Sequence, residues 1–425
     1  MSISNWMAGA VLSAASVLSA CNFYDADRSA NPARAKSEIP ASTLAAMDRI
    51  GTDRNAPVLI RAYKKDSELE IWKLTSSGQY ALLKAYPVCR WSGQLGPKTR
   101  EGDRQVPEGF YTVSQGQMNP NSALWLSFNV GYPNALERSL GFSGGDIMVH
   151  GTCSSRGCYA MTNEQIEDIY AVVREAFQGG QKQIQFQSFP FRMTAENMAR
   201  FRNDPNIAFW KNLKQGSDRF DVTKREVQIG YCGNRYAFGT SSQPSCAQND
   251  NDDATAQVME KFRADEEKAS QLAASGTPAV RMQYADGDQH PFYRGPDKAA
   301  MLKKLADAGE FSRPEALASV SEVQTDVKGK VTTANAYTTT LTLSSAKDAS
   351  LTSAKLETGN GEVPAAQANT KTAAVRAAII APVPEPAAGS SDGSFLQNLF
   401  SSAPPVVDDP DVKFPEIPPL PPTRG

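Results

Sequence analysis

His150 and Cys158 are the residues of this 425-residue chain whose types and spacing best support chemistry. They stand in Asp146-Ile147-Met148-Val149-His150-Gly151-Thr152-Cys153-Ser154-Ser155-Arg156-Gly157-Cys158, where an apolar run ends in histidine and a short loop leads to cysteine. A thiol becomes a nucleophile when a base takes its proton, when it is reachable, and when positive potential favours the thiolate. His150 fits the base. Arg156 and the N-terminus of the following helix add positive potential, the helix modestly because its dipole fades within about one turn. Gly157 lets neighbouring backbone N–H groups turn toward one point, as an oxyanion hole requires. Taken alone, His150 reads better as an ordinary strand-end histidine, and only Ser155, Gly157 and Cys158 in register reverse that reading. Cys153 reads as a packed free thiol rather than a redox partner of Cys158.

The elements around this segment predict a mainly β domain. From Pro57 the pattern has period two, at Val58 to Tyr63, Leu69 to Leu74 and Tyr80 to Tyr86, with turn residues between, so a three-strand meander is expected. Further strands are expected at Phe110 to Ser114, Leu124 to Val130 and Ile147 to Val149, and a last one at Gln183 to Phe189. One main helix follows Cys158: Thr162 and Gln165 stand at capping-box spacing, Ile166, Ile169, Tyr170, Val173, Ala176 and Phe177 recur helically, and Gly179-Gly180 ends it. Short helices are expected at Thr194 to Phe201 and Phe209 to Leu213, a charged one at Ala254 to Ala274, and another at Lys298 to Ala308. The resulting division is 1–21 export signal, 22–55 flexible tether, 56–193 catalytic domain, 194–247 extension packed on it, 248–313 charged helical region and 314–425 low-complexity tail. That tail is rich in Ala, Ser, Thr and Pro, too poor in large apolar residues to offset its ordering entropy, and ends in a polyproline-like run. A flexible tether of ~33 residues would reach about 30 Å.

A net charge of -2 and the absence of a basic footprint point away from nucleic acid. With two histidines and no CxxC pair, a metal site has little to be built from, and no cofactor is expected. Cys232 and Cys246 bracket a Gly/Asn/Ser/Pro-rich segment; a disulfide closing it and two unpaired thiols fit equally well. Lys98, Arg100, Arg104 and Arg192 are either carboxylate-binding or ordinary surface charges. His290, in Asp286-Gly287-Asp288-Gln289, reads as solvated, and Trp91 and Trp125 read as core.

His-Gly followed by Ser-x-Gly-Cys resembles the signature of the YkuD-type L,D-transpeptidases. Ser92-Gly93 to Lys98, Glu101-Gly102-Asp103, Pro107-Glu108-Gly109, Asn119-Pro120-Asn121-Ser122, Gly131-Tyr132-Pro133-Asn134 and Gly157-Cys158-Tyr159-Ala160-Met161 resemble its YafK-like branch. The resemblance covers roughly residues 56 to 193. It implies a β-sandwich-like catalytic domain in which Cys158 attacks a peptidoglycan tetrapeptide stem before its terminal D-alanine and passes the acyl group to an amine. It further implies His150 as general base oriented by a carbonyl near Gly151, and N–H groups of Arg156, Gly157 and Cys158 as the oxyanion hole; beside this, Ser155, Lys98 and Arg104 are expected toward substrate. Most members have histidine where Arg156 stands and a longer gap than the eight residues from His150 to Cys158; both departures fit the YafK-like branch. That branch includes enzymes thought to detach murein lipoprotein from the stem, so hydrolysis remains the alternative. A non-enzymatic peptidoglycan-binding protein would have no need of the nucleophile, and a papain-like protease lacks an ordered partner for its histidine.

Trp6 to Ala20, ending in Leu18-Ser19-Ala20-Cys21, resembles a lipoprotein signal and is too short to span a membrane, although no Lys or Arg precedes it. The resemblance implies acylation of Cys21, a periplasmic enzyme and, from Asn22, outer-membrane sorting. A cleaved soluble export signal is the alternative.

Overall fold

The computed structural model describes residues 31–239, 253–293 and 320–335. The signal segment with Cys21, Cys246, the helix expected near 298–308 and the polyproline run lie outside the described residues. Among the described residues, no helix is long and apolar enough to cross a membrane.

The meander forms as its period-two pattern predicts: β1 (Val58–Tyr63), β2 (Glu68–Leu74) and β3 (Tyr80–Pro87) pair antiparallel. β1 then pairs in parallel with β9 (Gln183–Phe189), and β9 antiparallel with β4 (Gly109–Ser114), giving the order β3-β2-β1-β9-β4. Every residue of β1 is buried, and Leu59, Ile60, Leu69, Ile71, Ile184 and Phe186 are wholly enclosed. Such enclosure stabilises by roughly 1.5–3 kcal/mol per large apolar side chain.

A second sheet carries the candidate site. Its strands are short, β5 (Met118–Asn119), β6 (Ser127–Asn129), β7 (Met148–His150) and β8 (Tyr159–Ala160), and only β7 and β8 run parallel. Two helices lie beside these sheets. α2 (Ala135–Ser139) begins with an Asn134 and Glu137 capping box. α3 (Asn163–Gln178) has the expected Thr162 and Gln165 box and packs on both β1 and β6, so one apolar stripe joins the two sheets.

The tether expected over 22–55 is not all tether. α1 (Ala41–Ile50) packs on β3; the Thr43 hydroxyl donates to Asp168 at 2.9 Å, and Met47 is 1% exposed. Arg174 of α3 donates to the carbonyls of Ala35 and Ser37. These partners are over a hundred residues away in sequence, which is why local polarity suggested a free segment.

After β9, α4 (Ala195–Arg200) matches its expected position, but α5 (Ile207–Thr223) is far longer than the stretch predicted from Phe209 to Leu213. Its second half buries Lys214, Ser217, Asp218 and Arg219, held by ion pairs and hydrogen bonds, so hydrophobic periodicity could not reveal it. Lys214 and Asp218 also meet Lys261 and Asp265 of α6 (Asp253–Ala274). β10 (Gln228–Cys232) and β11 (Arg235–Gly239) form a hairpin between α5 and α6.

The last described strands differ from expectation. β12 (Val280–Tyr284), β13 (Val320–Thr325) and β14 (Val331–Asn335) form a three-stranded antiparallel sheet, the last two inside the region read as a low-complexity tail. Val and Thr there are strand formers as well as tail-like in composition.

Candidate active site

The site begins where β7 ends. His150 is 1% exposed, and its Nδ1 lies 2.6 Å from the Gly151 carbonyl. A carbonyl only accepts, so Nδ1 carries the proton and Nε2 is left as the basic nitrogen. Burial lowers the imidazole pKa to about 4, with the Gly151 bond opposing. His150 is therefore neutral at ordinary pH.

Gly151 is fixed by close approach. A Cβ there would lie 2.8 Å from that of Trp125, 2.9 Å from Asn163 Oδ1 and 3.0 Å from Ile166 Cγ2, so a larger residue would push β7 away from α3. Asn163, at the start of α3, accepts from Thr152 N–H at 2.9 Å. Thr152 and Cys153 both have positive φ, the left-handed region disfavoured for side-chain-bearing residues. Cys153 is held twice: its N–H donates to Met161, and its sulfur is bonded to Cys89 with Cα atoms 5.3 Å apart. The free thiol expected there is thus a disulfide, one closing a loop over a sequence separation of 64. Spacing gave no sign of it. Cys232 is also disulfide-bonded, and Cys246 lies outside the described residues.

Cys158, the free cysteine among the described residues, is half-buried immediately before β8. Val149 pairs with Tyr159 and His150 with Ala160, so Cys158 falls level with Met148. Met148 N–H donates to Cys158 Sγ at 3.4 Å, and Sγ lies 3.8 Å from the Asp146 carbonyl. Because side chains alternate along a strand and parallel partners share a face, Cys158 and His150 lie on the same face of the β7–β8 pair. Burial pushes the Cys158 thiol up; the Met148 bond, Lys98 and Arg156 oppose this, while Asp146 adds to it. Positive potential is therefore present as expected, but desolvation outweighs it. The resting pair is neutral thiol and neutral imidazole.

Two of the expected oxyanion-hole donors, the Gly157 and Cys158 N–H groups, are engaged at rest. Ser155 Oγ accepts from Gly157 N–H at 3.3 Å and Cys158 N–H at 3.1 Å, and donates to the Cys158 carbonyl at 2.7 Å. Gly157 has φ +121 and lies against the Arg104 backbone.

The residues expected to face substrate have partners within the protein. Lys98, 4% exposed, donates to Asp103 at 2.6 Å and to the Arg100 carbonyl. Arg104 pairs with Asp286 at 2.5 Å, and Arg192 with Glu68 and Glu70. Ser155 is enclosed by the loop that it organises. The residues before His290 are packed, with Asp286, Asp288 and Gln289 buried, whereas His290 itself is half-buried and its N–H donates to Val88. Trp91 is core, as expected, whereas Trp125 is half-buried with the Arg34 guanidinium 3.4 Å above its ring.

Residues 48–184 match the YkuD family, described as the L,D-transpeptidase catalytic domain. The chain is 41% identical over 181 residues to YafK of Escherichia coli strain K12, itself provisionally assigned as an L,D-transpeptidase. That alignment spans 43% of this chain and 73% of YafK, and YafK of strain O157:H7 matches equally. Among solved structures, the helical cell shape determining protein Pgp2 of Campylobacter jejuni matches at 16% identity and TM-score 0.26, over 57% of this chain and 80% of Pgp2. Bd1075 of Bdellovibrio bacteriovorus matches at 12% identity and TM-score 0.23, over 54% of this chain and 74% of its own. The identity to YafK over most of that protein, carried on a fold that brings His150 and Cys158 to one sheet face, shows that this chain belongs to the YkuD L,D-transpeptidase family.

Proposed function

We propose that this enzyme is a peptidoglycan L,D-transpeptidase that acts through a thioester on Cys158. The observation carrying this is the shared face of His150 and Cys158, with Nε2 left as the basic nitrogen by the Nδ1–Gly151 bond. Cys158 Sγ attacks the stem-peptide carbonyl while His150 Nε2 takes the thiol proton. Because burial disfavours both thiolate and imidazolium, proton transfer accompanies S–C bond formation instead of preceding it. The negative oxygen is stabilised by backbone N–H groups of Arg156, Gly157 and Cys158 as the loop shares donors now held by Ser155. Collapse expels the terminal D-amino acid, whose amine takes the proton from His150. An acceptor amine then gives its proton to His150, attacks the thioester and restores the thiol.

Export to the periplasm with acylation at Cys21 completes the proposal. Nine residues, 22–30, separate Cys21 from Asn31, and fully extended they would span at most about 30 Å. Loss of labelled palmitate from a Cys21→Ser variant would support the anchor, and equal labelling would sink it.

Muropeptide mass spectrometry on cells producing the wild type or Cys158→Ala tests the reaction. Cross-links or terminal amino-acid exchange that depend on Cys158 support transfer. Loss of stem-bound murein lipoprotein would select hydrolysis, and no Cys158-dependent change would overturn both.

A further inference from the structure

A chain of contacts runs from the C-terminal part of the molecule to the backbone beside Cys158, beginning well beyond the matched residues 48–184. Asp288 exchanges backbone hydrogen bonds with Trp91 at 3.0 and 3.1 Å, and Gly287 N–H donates to Gly93 at 2.7 Å. Gly287 has φ +69, and a Cβ there would lie 2.0 Å from the Trp91 carbonyl oxygen, so the approach requires glycine. The neighbouring Arg90 bridges in turn to Ala160 of β8. The segment is therefore laid onto the strand next to the one that presents Cys158.

Asp286 is 4% exposed, and its carboxylate accepts from Arg104 Nε at 3.3 Å, Arg104 Nη2 at 2.5 Å and Gly93 N–H at 3.2 Å. Arg104 holds positive φ, and its carbonyl accepts from Ser92 Oγ at 2.9 Å. Ser92 Oγ lies 3.2 Å from Ser155 Oγ, the atom that accepts from the Gly157 and Cys158 N–H groups. A Cβ on Gly157 would sit 3.7 Å from the Arg104 carbonyl carbon, so the two backbones also touch.

We propose that Asp286 is a positioning residue for acyl transfer, acting through Arg104 and Ser92 to fix Ser155 and hence the aim of the Gly157 and Cys158 N–H groups. This rests on the reading of Cys158 as nucleophile. Oxyanion donors work only when preorganised, and removing one lowers kcat by about 10²–10³. The carboxylate suits the task because a bidentate, charge-assisted grip on a guanidinium fixes direction as well as distance. The C-terminal segment is thereby part of the catalytic apparatus.

The full chain carrying Asp286→Asn tests this, with hydrogen–deuterium exchange read by mass spectrometry and steady-state kinetics on a tetrapeptide stem. Exchange is expected to rise in residues 92–105 and 152–158 alone, kcat to fall at least tenfold and KM to stay within threefold, with Asp286→Glu recovering part of kcat. Should Asp286→Asn fail to fold, Arg104→Lys carries the same expectations, since it keeps the charge and loses the fork. Unchanged exchange at 152–158, a rise spread evenly through β1, β2 and β9, or raised loop exchange at unchanged kcat would overturn the proposal. A wild type inactive on every stem peptide would instead defeat the proposed function, and the exchange result would still report on the positioning chain.

Discussion

The two sheets that meet on α3 are built differently. The five-stranded sheet consists of strands of six to eight residues held by enclosed apolar side chains. The four-stranded sheet consists of strands of two or three residues, and its connections depend on a disulfide, a serine hydroxyl, an asparagine and a helix cap. Of the seven non-glycine residues with positive φ among the described residues, Arg104, Trp125, Asp146, Thr152 and Cys153 belong to the surroundings of this second sheet. Thr152 Oγ1 and Ser154 Oγ are also buried without a protein partner. Strain of this kind persists where surrounding structure enforces it. One sheet supplies stability, and the other spends some of it on aiming groups.

The largest effect that would break this division is on His150. His150→Ala should lower kcat by roughly 10²–10⁴ while the denaturation midpoint changes little beyond the loss of a buried ring. An equal loss of activity from a variant in the five-stranded sheet, measured per folded molecule, would contradict the comparison. There, Phe186→Ala should cost about 3–5 kcal/mol in chemical denaturation and leave the pH profile of the surviving enzyme in place.

Acid titration sharpens the contrast. The folded pKa of His150, about 4, lies below its ordinary value of 6.5, so the unfolded chain binds the proton first as pH falls. The stability from keeping His150 neutral is complete above pH 6.5 and is lost as pH falls toward 4. It amounts to about 3 kcal/mol. For the same reason the acid limb of kcat/KM should lie near pH 4; a limb near 6.5 would mean that the base is solvated. The smallest effect expected is from Thr162→Ala, which removes the cap of α3 and should cost about 1 kcal/mol.

The contrast also explains what could be read in advance. Period two in β1 to β3 and helical spacing with a cap in α3 are local signals, and each of those elements appears where it was expected. The placement of His150 at a strand end and of Cys158 shortly before the main helix was legible from local pattern. The Cys89–Cys153 bond, the engagement of Gly157 and Cys158 N–H by Ser155, and the grip of Asp286 on Arg104 were not. Each joins a loop residue to a partner whose proximity is created by the fold, and polar residues in loops look alike whether solvated or paired. Lys98 and Arg104 are examples: charge alone gave no sign that their neighbours are Asp103 and Asp286.

Intact mass spectrometry of the full chain mixed briefly with a tetrapeptide stem tests the central claim most directly. The account predicts an adduct equal to the stem less its terminal D-amino acid, localised to Cys158, abolished in Cys158→Ala and formed far more slowly in His150→Ala. An adduct that persists in Cys158→Ala, or turnover in that variant, would contradict it.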